Sequence, residues 1–124
     1  MIHFRSLAFI ATTSLMLAGC SKDSAVLDFV KENDEVVAAV SAASTPEAAQ
    51  KAFDDKKADL KAKFEPLKTA RSFQVKPENM TKLTDSVTKG TTAVCGLELK
   101  AVLDSAKSAK YKKLCDDYTD TMKM

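Results

Sequence analysis

Apolar positions recur along most of the chain with the period of an α-helix. In the first such stretch they form a single stripe: Val26, Phe29, Val30, Val36, Val37 and Val40. A stripe of this kind is typical of an amphipathic helix that packs against other elements. The pattern predicts a first helix with Ser24 as its N-cap, interrupted at residues 44–46.

A second helix is predicted directly after this interruption. Thr45 is a suitable N-cap residue, and Pro46 suits the first helical position. The apolar face of this helix is formed by Ala49, Phe53, Leu60, Phe64 and Leu67. Because Pro66 has no N–H to donate inside a helix, we expect the helix to end between residues 64 and 71. Residues 71–76 are predicted to be an extended connection.

A third helix is predicted to begin at Pro77 and to carry a long apolar stripe. The stripe continues past Gly90 and comprises Met80, Leu83, Val87, Val94, Cys95, Leu99, Val102, Leu103 and Ala106. A glycine inside a helix costs about 1 kcal/mol relative to alanine. Gly90 is therefore predicted to be either a hinge or a break in this helix.

Two cysteines in the second half of the chain, Cys95 and Cys115, help to place the last turn. In an oxidising compartment we expect them to form a disulfide, the alternative being two separate buried thiols. One unbroken helix would hold them roughly 30 Å apart, whereas a disulfide tolerates about 7 Å between α-carbons. We therefore predict a reversal at residues 105–110, with Ser108 capping a last helix to about Met122. Its apolar side is formed by Tyr111, Leu114, Cys115, Tyr118 and Met122.

The N-terminal segment differs from the rest in composition. Residues 1–5 include Arg5 and no acidic side chain, and an apolar stretch of about a dozen residues follows over 7–18. This order is typical of an export signal, and the stretch is shorter than the roughly 20 apolar residues that a membrane-spanning helix needs. We expect residues 1–19 to be removed.

The sequence at residues 17–20, Leu-Ala-Gly-Cys, resembles the lipobox of bacterial lipoproteins. The resemblance covers about the first fifth of the chain. It implies that the sulfur of Cys20 receives a diacylglycerol, that the chain is cut before Cys20, and that the new amine is acylated with a fatty acid such as palmitate. Several fatty chains hold a protein firmly on a membrane, so Cys20 would be a durable anchor. Ser21 follows Cys20 where an aspartate would, in the enteric rule, retain the protein at the inner membrane.

The sequence thus predicts a signal peptide at 1–19, a lipidated tether at 20–23 and one domain at 24–124, an all-α bundle of three to five helices. Removal of residues 1–19 takes away one of 19 basic side chains and none of the 17 acidic ones. The processed chain is nearly neutral, which argues against nucleic acid as a partner.

Residue types used in catalysis are scarce. The only histidine, His3, lies in the segment expected to be removed, and the chain holds no phosphate-binding glycine loop, no GxSxG elbow and no CxxC motif. The paired carboxylates Asp54–Asp55 and Asp116–Asp117 diverge by about 100 degrees on a helix, which favours a solvated face over an acid–base pair. With two thiols and no histidine, a zinc site is not expected either. The sequence predicts neither an enzyme nor a cofactor.

A binding role at a membrane is the function that the sequence favours. We expect a non-catalytic lipoprotein at the periplasmic face of the outer membrane, which holds a protein partner through a helix face or groove. One alternative is an immunity or inhibitor lipoprotein directed at a toxin or hydrolase. Another is a carrier of a small apolar ligand held near Met80, Phe53 and Phe64, although the sequence favours an ordinary core role for these side chains. The lysine-rich stretch 107–113 is interpreted as a solvated helix face, with anionic lipid or cell-wall polymer as alternative partners.

Overall fold

The computed structural model describes residues 21–123 and contains four α-helices in that range, with no strand. The helices are α1 (Asp23–Ala42), α2 (Pro46–Phe64), α3 (Pro77–Lys100) and α4 (Ser105–Thr121). Two short 3₁₀ turns, Glu65–Thr69 and Ser72–Gln74, connect α2 to α3. The predicted small all-α bundle is confirmed. None of the described helices is both long and apolar enough to cross a membrane.

The four helices alternate in direction. Helix α1 packs against α2 and α3, and α4 packs against α3 and α2. Asp23 lies beside Asn79 and Asn33 beside Ser86, so α1 and α3 run parallel. Gln50 contacts Asp117, and Glu47 contacts Lys110, so α2 and α4 also run parallel. The connection over residues 65–76 crosses the bundle at the end where α1 begins.

The core lies between α1, α2 and α4, with a smaller contribution from α3. Phe29 contacts Phe64 with ring centroids 5.1 Å apart, and Phe53 contacts Tyr118 edge-on at 6.2 Å. The α1 valines Val26, Val36 and Val40 belong to the same buried cluster as these rings. The fully buried apolar side chains are Val26, Phe29, Val36, Val40, Ala49, Phe53, Leu60, Val94, Leu114 and Tyr118.

Local sequence determines the start of α2 but not the start of α1. The Thr45 hydroxyl accepts a hydrogen bond from the Ala48 N–H at 3.1 Å, as predicted for this cap. Helix α1 begins at Asp23, with Lys22 at the N-cap position, so the predicted Ser24 cap is wrong. The reason is tertiary, because the Asp23 carboxylate accepts hydrogen bonds from the Lys76 N–H and the Asn79 amide, each at 2.8 Å. These bonds join the first turn of α1 to the start of α3.

The connection between α2 and α3 is more compact than predicted. Helix α2 ends at Phe64, within the expected range, and Pro66 lies in the 3₁₀ turn that follows. Residues 71–76 are not extended throughout, because Ser72–Gln74 form a 3₁₀ turn between the extended residues Arg71 and Val75. This turn buries Val75 and directs Phe73 outward.

Helix α3 passes through Gly90 without a hinge or break. A Cβ built on Gly90 would overlap the Tyr118 hydroxyl and come within 3.0 Å of Val37 Cγ2. Gly90 is therefore required by the close approach of α1 and α4 to α3, and not by backbone flexibility.

The chain reverses between α3 and α4 earlier than predicted. Residues 101–104 form the reversal, and Asp104 caps α4 by accepting a hydrogen bond from the Lys107 N–H at 3.1 Å. The predicted reversal at 105–110 and the predicted Ser108 cap are both wrong. Residues 105–110 are instead the first six residues of α4.

The last part of the predicted apolar stripe lies outside the core. Asn33 and Ser86 are 53 positions apart, and Val37 and Gly90 have the same offset, so the end of α1 at Ala42 is level with residue 95. The last five residues of α3 extend past α1 by about 7 Å, at 1.5 Å per residue. Leu99, Val102 and Leu103 are consequently exposed, by 74%, 66% and 100%. Met80 is also partly exposed, at 38%.

Candidate functional site

A polar network crosses the interior and joins three helices. Tyr118 of α4 donates a hydrogen bond to Asn33 Oδ1 at 2.7 Å. The Asn33 amide donates to the carbonyl and the hydroxyl of Ser86 on α3, and that hydroxyl donates to Asp34 at 2.8 Å. Asn33 thereby satisfies both ends of its buried amide, which is the condition for a polar group to be stable in a core.

Tyr118 is the most strongly perturbed titratable group in this network. Burial raises the pKa of Tyr118 to about 12, against an ordinary value of 10.0, although the hydrogen bond to Asn33 opposes this shift. The phenol therefore keeps its proton at neutral pH and acts as a donor. Because Tyr118 is fully buried and Asn33 accepts its hydrogen bond, this network is suited to fixing the helix positions.

Within each adjacent pair the two carboxylates have different partners, although Asp54 and Asp117 both accept a hydrogen bond from the Gln50 amide. Asp54 accepts a hydrogen bond from Gln50, and Asp55 pairs with Lys51. Asp116 pairs with Lys112, while Asp117 pairs with Lys113 and also accepts from Gln50. Among residues 21–123 no group of three or more histidine, cysteine or acidic side chains is arranged to hold a metal ion.

The lysine-rich stretch 107–113 lies on the surface of α4, and several of its charges are paired within the bundle. Lys110 bonds to Glu47 of α2, while Lys112 and Lys113 pair with aspartates one turn further along α4. The hydrogen bond that Lys110 donates to Glu47, together with the charge of Glu47, raises the pKa of Lys110, and Asp116 and Asp117 act in the same way on Lys112 and Lys113. Paired lysines on a solvated helix face leave little uncompensated charge for an anionic polymer.

The two described cysteines meet between α3 and α4. The sulfurs of Cys95 and Cys115 lie at bonding distance, and their α-carbons are 4.7 Å apart. The bond links positions 20 residues apart and closes a loop that contains the end of α3 and the start of α4. It therefore braces the segment that extends past α1.

That segment carries the main exposed apolar cluster of the described residues, here called the hairpin tip (residues 99–104). Leu99, Val102 and Leu103 project from it into solvent. A groove of about 330 Å³ lies beside the tip, and its lining includes Leu97, Leu103, Tyr111, Lys100, Asp104 and Lys107. Clustered apolar side chains beside a groove with a charged rim are typical of an interaction surface.

The opposite end of the bundle, residues 21–23 and 65–77, is called the N-terminal end here. Hydrogen bonds from the Asn79 amide and the Lys76 N–H hold the pKa of Asp23 below its usual range. The Lys22 N–H donates to the Gln74 carbonyl at 2.7 Å, which ties the start of the described chain to the Ser72–Gln74 turn. Phe73 of this turn is 77% exposed. The predicted lipidation site, Cys20, lies outside the described residues.

The side chains suggested for an apolar ligand are mostly packed in the core. Phe53 is fully buried and Phe64 nearly so, and both contact other aromatic rings. Met80 lies at the surface. Phe53 and Phe64 thus take the ordinary core role that the sequence favoured for them.

The sequence did not reveal the two exposed apolar features. The apolar stripe of α3 continues through Leu99, Val102 and Leu103, so its pattern gave no sign of their exposure. Only Asp104, a good N-cap residue directly after them, indicated that α3 ends earlier than predicted. For Phe73 the local sequence gave no indication of exposure. Phe73 and Val75 are both apolar and lie two positions apart, yet Val75 is buried and Phe73 is exposed.

A comparison of the chain with protein-family models, with curated proteins and with solved structures found no match.

Proposed function

We propose that this chain is a lipid-anchored, non-catalytic protein-binding module of the bacterial envelope, held by acylated Cys20 at the periplasmic face of the outer membrane. The observation that carries the binding role is the hairpin tip. Its three apolar side chains are exposed to water, whereas most of the other large apolar side chains of the described bundle are packed in or against the core. Exposed clusters of this kind mark docking sites for other molecules.

The position of the tip supports this proposal. The chain enters the bundle at Lys22, beside the start of α3, and the tip follows the other end of the same helix. Helix α3 has 24 residues and is about 36 Å long, so the tip is held that far from the N-terminal end. A domain anchored through Cys20 would therefore present the tip to the aqueous compartment.

The rigidity of the tip is a second support. The disulfide between Cys95 and Cys115 joins its two helices, and the Asp104 cap fixes the start of α4. Apolar side chains held in one conformation lose less entropy on binding than those on a flexible loop. Support for binding over catalysis comes from the adjacent carboxylate pairs, because the two members of each pair bond to different partners.

Site-specific photocrosslinking in intact cells tests this function. A photoreactive residue at Leu103 is expected to capture one protein, and the same residue at Leu27, which is also an exposed leucine but lies on α1, is not. Capture at 103 should be lost when Leu99→Lys is added. The proposal fails if both positions give the same products, or if only lipid and the chain itself are captured.

The identity of the captured protein separates the two forms of the proposal. A resident envelope protein supports a binding module of the cell's own machinery. A secreted toxin or hydrolase, inhibited by the bound domain at one-to-one stoichiometry, supports the immunity or inhibitor alternative.

A further inference from the structure

Phe73 is the one large aromatic side chain that the described chain directs into solvent. It is 77% exposed, whereas Phe29, Phe53 and Phe64 are buried. Its turn is well defined, because the Arg71 N–H donates to the Gln74 side chain and the Gln74 N–H donates to the Arg71 carbonyl, each at 2.9 Å. The outward position of Phe73 is thus a product of a hydrogen-bonded turn and not of a loose end.

The N-terminal chain enters the fold next to this turn. The Lys22 N–H donates to the Gln74 carbonyl at 2.7 Å, and Ser21 and Asp23 line the same shallow groove as Phe73. Cys20 precedes Lys22 by two residues, and two residues span at most about 7 Å. An acyl group on Cys20 would therefore enter the membrane within a short distance of Phe73.

The charges around Phe73 are basic by a small margin, with three basic side chains against two acidic ones once the Glu65–Lys68 pair is set aside. Lys22, Arg71 and Lys76 are close to it in the chain or across the turn. Of the acids at this end, Glu65 pairs with Lys68, whereas Asp23 and Glu78 keep their negative charges, because the donors that bond to Asp23 are neutral and lower its pKa. An exposed aromatic ring beside an excess of basic side chains matches the interface of an anionic phospholipid monolayer.

We propose that the Phe73 turn (residues 71–76) is a second membrane contact, in which Phe73 enters the headgroup region and Arg71, Lys76 and Lys22 face anionic lipid. This inference rests on the anchor at Cys20 that is part of the proposed function. The contact fixes the orientation of the bundle, with the N-terminal end on the lipid and the hairpin tip about 36 Å away from it. The anchor at Cys20 alone keeps the N-terminal end near the membrane but leaves the tilt of the bundle free.

Tryptophan fluorescence of the full-length lipoprotein tests the proposal. The chain contains no tryptophan, so Phe73→Trp and the control Leu103→Trp each introduce a single reporter at an exposed site. Each variant is purified from membranes in detergent and reconstituted into vesicles of phosphatidylethanolamine and phosphatidylglycerol. Emission is recorded with brominated phospholipid as the quencher in the membrane and with iodide as the quencher in water.

The expected result is a blue-shifted emission at position 73 that brominated lipid quenches several-fold more than at position 103. Iodide should show the reverse order. The proposal is overturned if both positions respond alike, if position 103 is the one in lipid, or if position 73 is protected from iodide without quenching by lipid, which would indicate a protein occupant.

Flotation of the same vesicles separates this proposal from the anchor itself. If the wild-type chain floats with the vesicles and Cys20→Ser does not, while position 73 stays aqueous, the anchor stands and only the Phe73 contact fails. If the wild-type chain does not float, the anchor and the contact fail together.

Discussion

At the scale of single residues, the polar interior determines how closely the helices approach. Asn33 bonds to Tyr118 on one side and to Ser86 on the other, which fixes the register of α1 against α3 and α4. Gly90 leaves room for the Tyr118 hydroxyl to reach Asn33. The network and the glycine are therefore a single packing unit.

Substitution of the two described glycines by alanine is expected to have opposite effects. Gly90→Ala should destabilise the fold by about 1 to 3 kcal/mol, because its Cβ displaces the buried Tyr118 hydroxyl, and this cost exceeds the gain in helix propensity. Gly96→Ala meets no atom within 4 Å and should stabilise it by about 0.5 to 1 kcal/mol. Urea unfolding of residues 21–124 measures both. Equal effects of the two substitutions would contradict the packing described.

Tyr118→Phe is expected to show the energetic role of the buried phenol and its pH dependence. Loss of the hydrogen bond leaves Asn33 Oδ1 buried without this donor, which should cost about 1 to 2 kcal/mol at neutral pH. The folded-state pKa of Tyr118, about 12, is above the ordinary 10.0, so the protonated phenol contributes stability that is complete below pH 10 and is lost as pH rises toward 12.

The stability advantage of wild type over Tyr118→Phe should therefore fall by on the order of 2 kcal/mol as pH rises from neutral to about 12, which is enough to abolish or reverse it. Urea unfolding of both chains across this range measures it, and lysine titration cancels because both chains share it. A difference that stays constant with pH would mean that Tyr118 ionises as freely in the folded chain as in the unfolded one.

At the scale of elements, the sequence predicted features that depend on neighbouring residues and failed where distant ones decide. Thr45 and Pro46 act within one turn of helix, and the predicted start of α2 is correct. The reason for a glycine at position 90 is its contact with Tyr118, which is on another helix. The exposure of Leu103 depends on where α1 ends. Periodicity showed that Leu99 and Val102 share a helix face but not whether a partner helix reaches that face.

Two alanine substitutions test whether Asp104, and not Ser108, caps α4. Asp104→Ala should destabilise the bundle by about 1 kcal/mol, because the Lys107 N–H loses its acceptor. Ser108→Ala, in the interior of the helix, should change the free energy of unfolding by less than about 0.5 kcal/mol. A larger loss for Ser108→Ala would restore Ser108 as the cap.

The disulfide is expected to be a main source of stability for the α3–α4 hairpin. Closing a loop of 20 residues contributes about 3 kcal/mol in the chain-entropy model. The double substitution Cys95→Ala and Cys115→Ala should lower the free energy of unfolding by about that amount, as should reduction of the wild-type chain. Thiol alkylation followed by mass analysis establishes the oxidation state, and two free thiols in the purified chain would refute the bond.

At the scale of the whole molecule, the bundle has two different ends. The N-terminal end holds Phe73 and several basic side chains, and the hairpin tip holds Leu99, Val102 and Leu103. Helix α3 runs between them and sets their separation. In the proposed function the first end lies on lipid and the second meets a protein, so one short domain links a membrane to a partner.

This arrangement depends on acylation of Cys20, and the intact mass of the mature chain measures that directly. We predict that the protein partitions with membranes, that it begins at Cys20 with residues 1–19 absent, and that its mass exceeds that of the polypeptide by a diacylglycerol and an amide-linked acyl chain. A water-soluble chain that still carries residues 1–19 and no lipid would contradict the account.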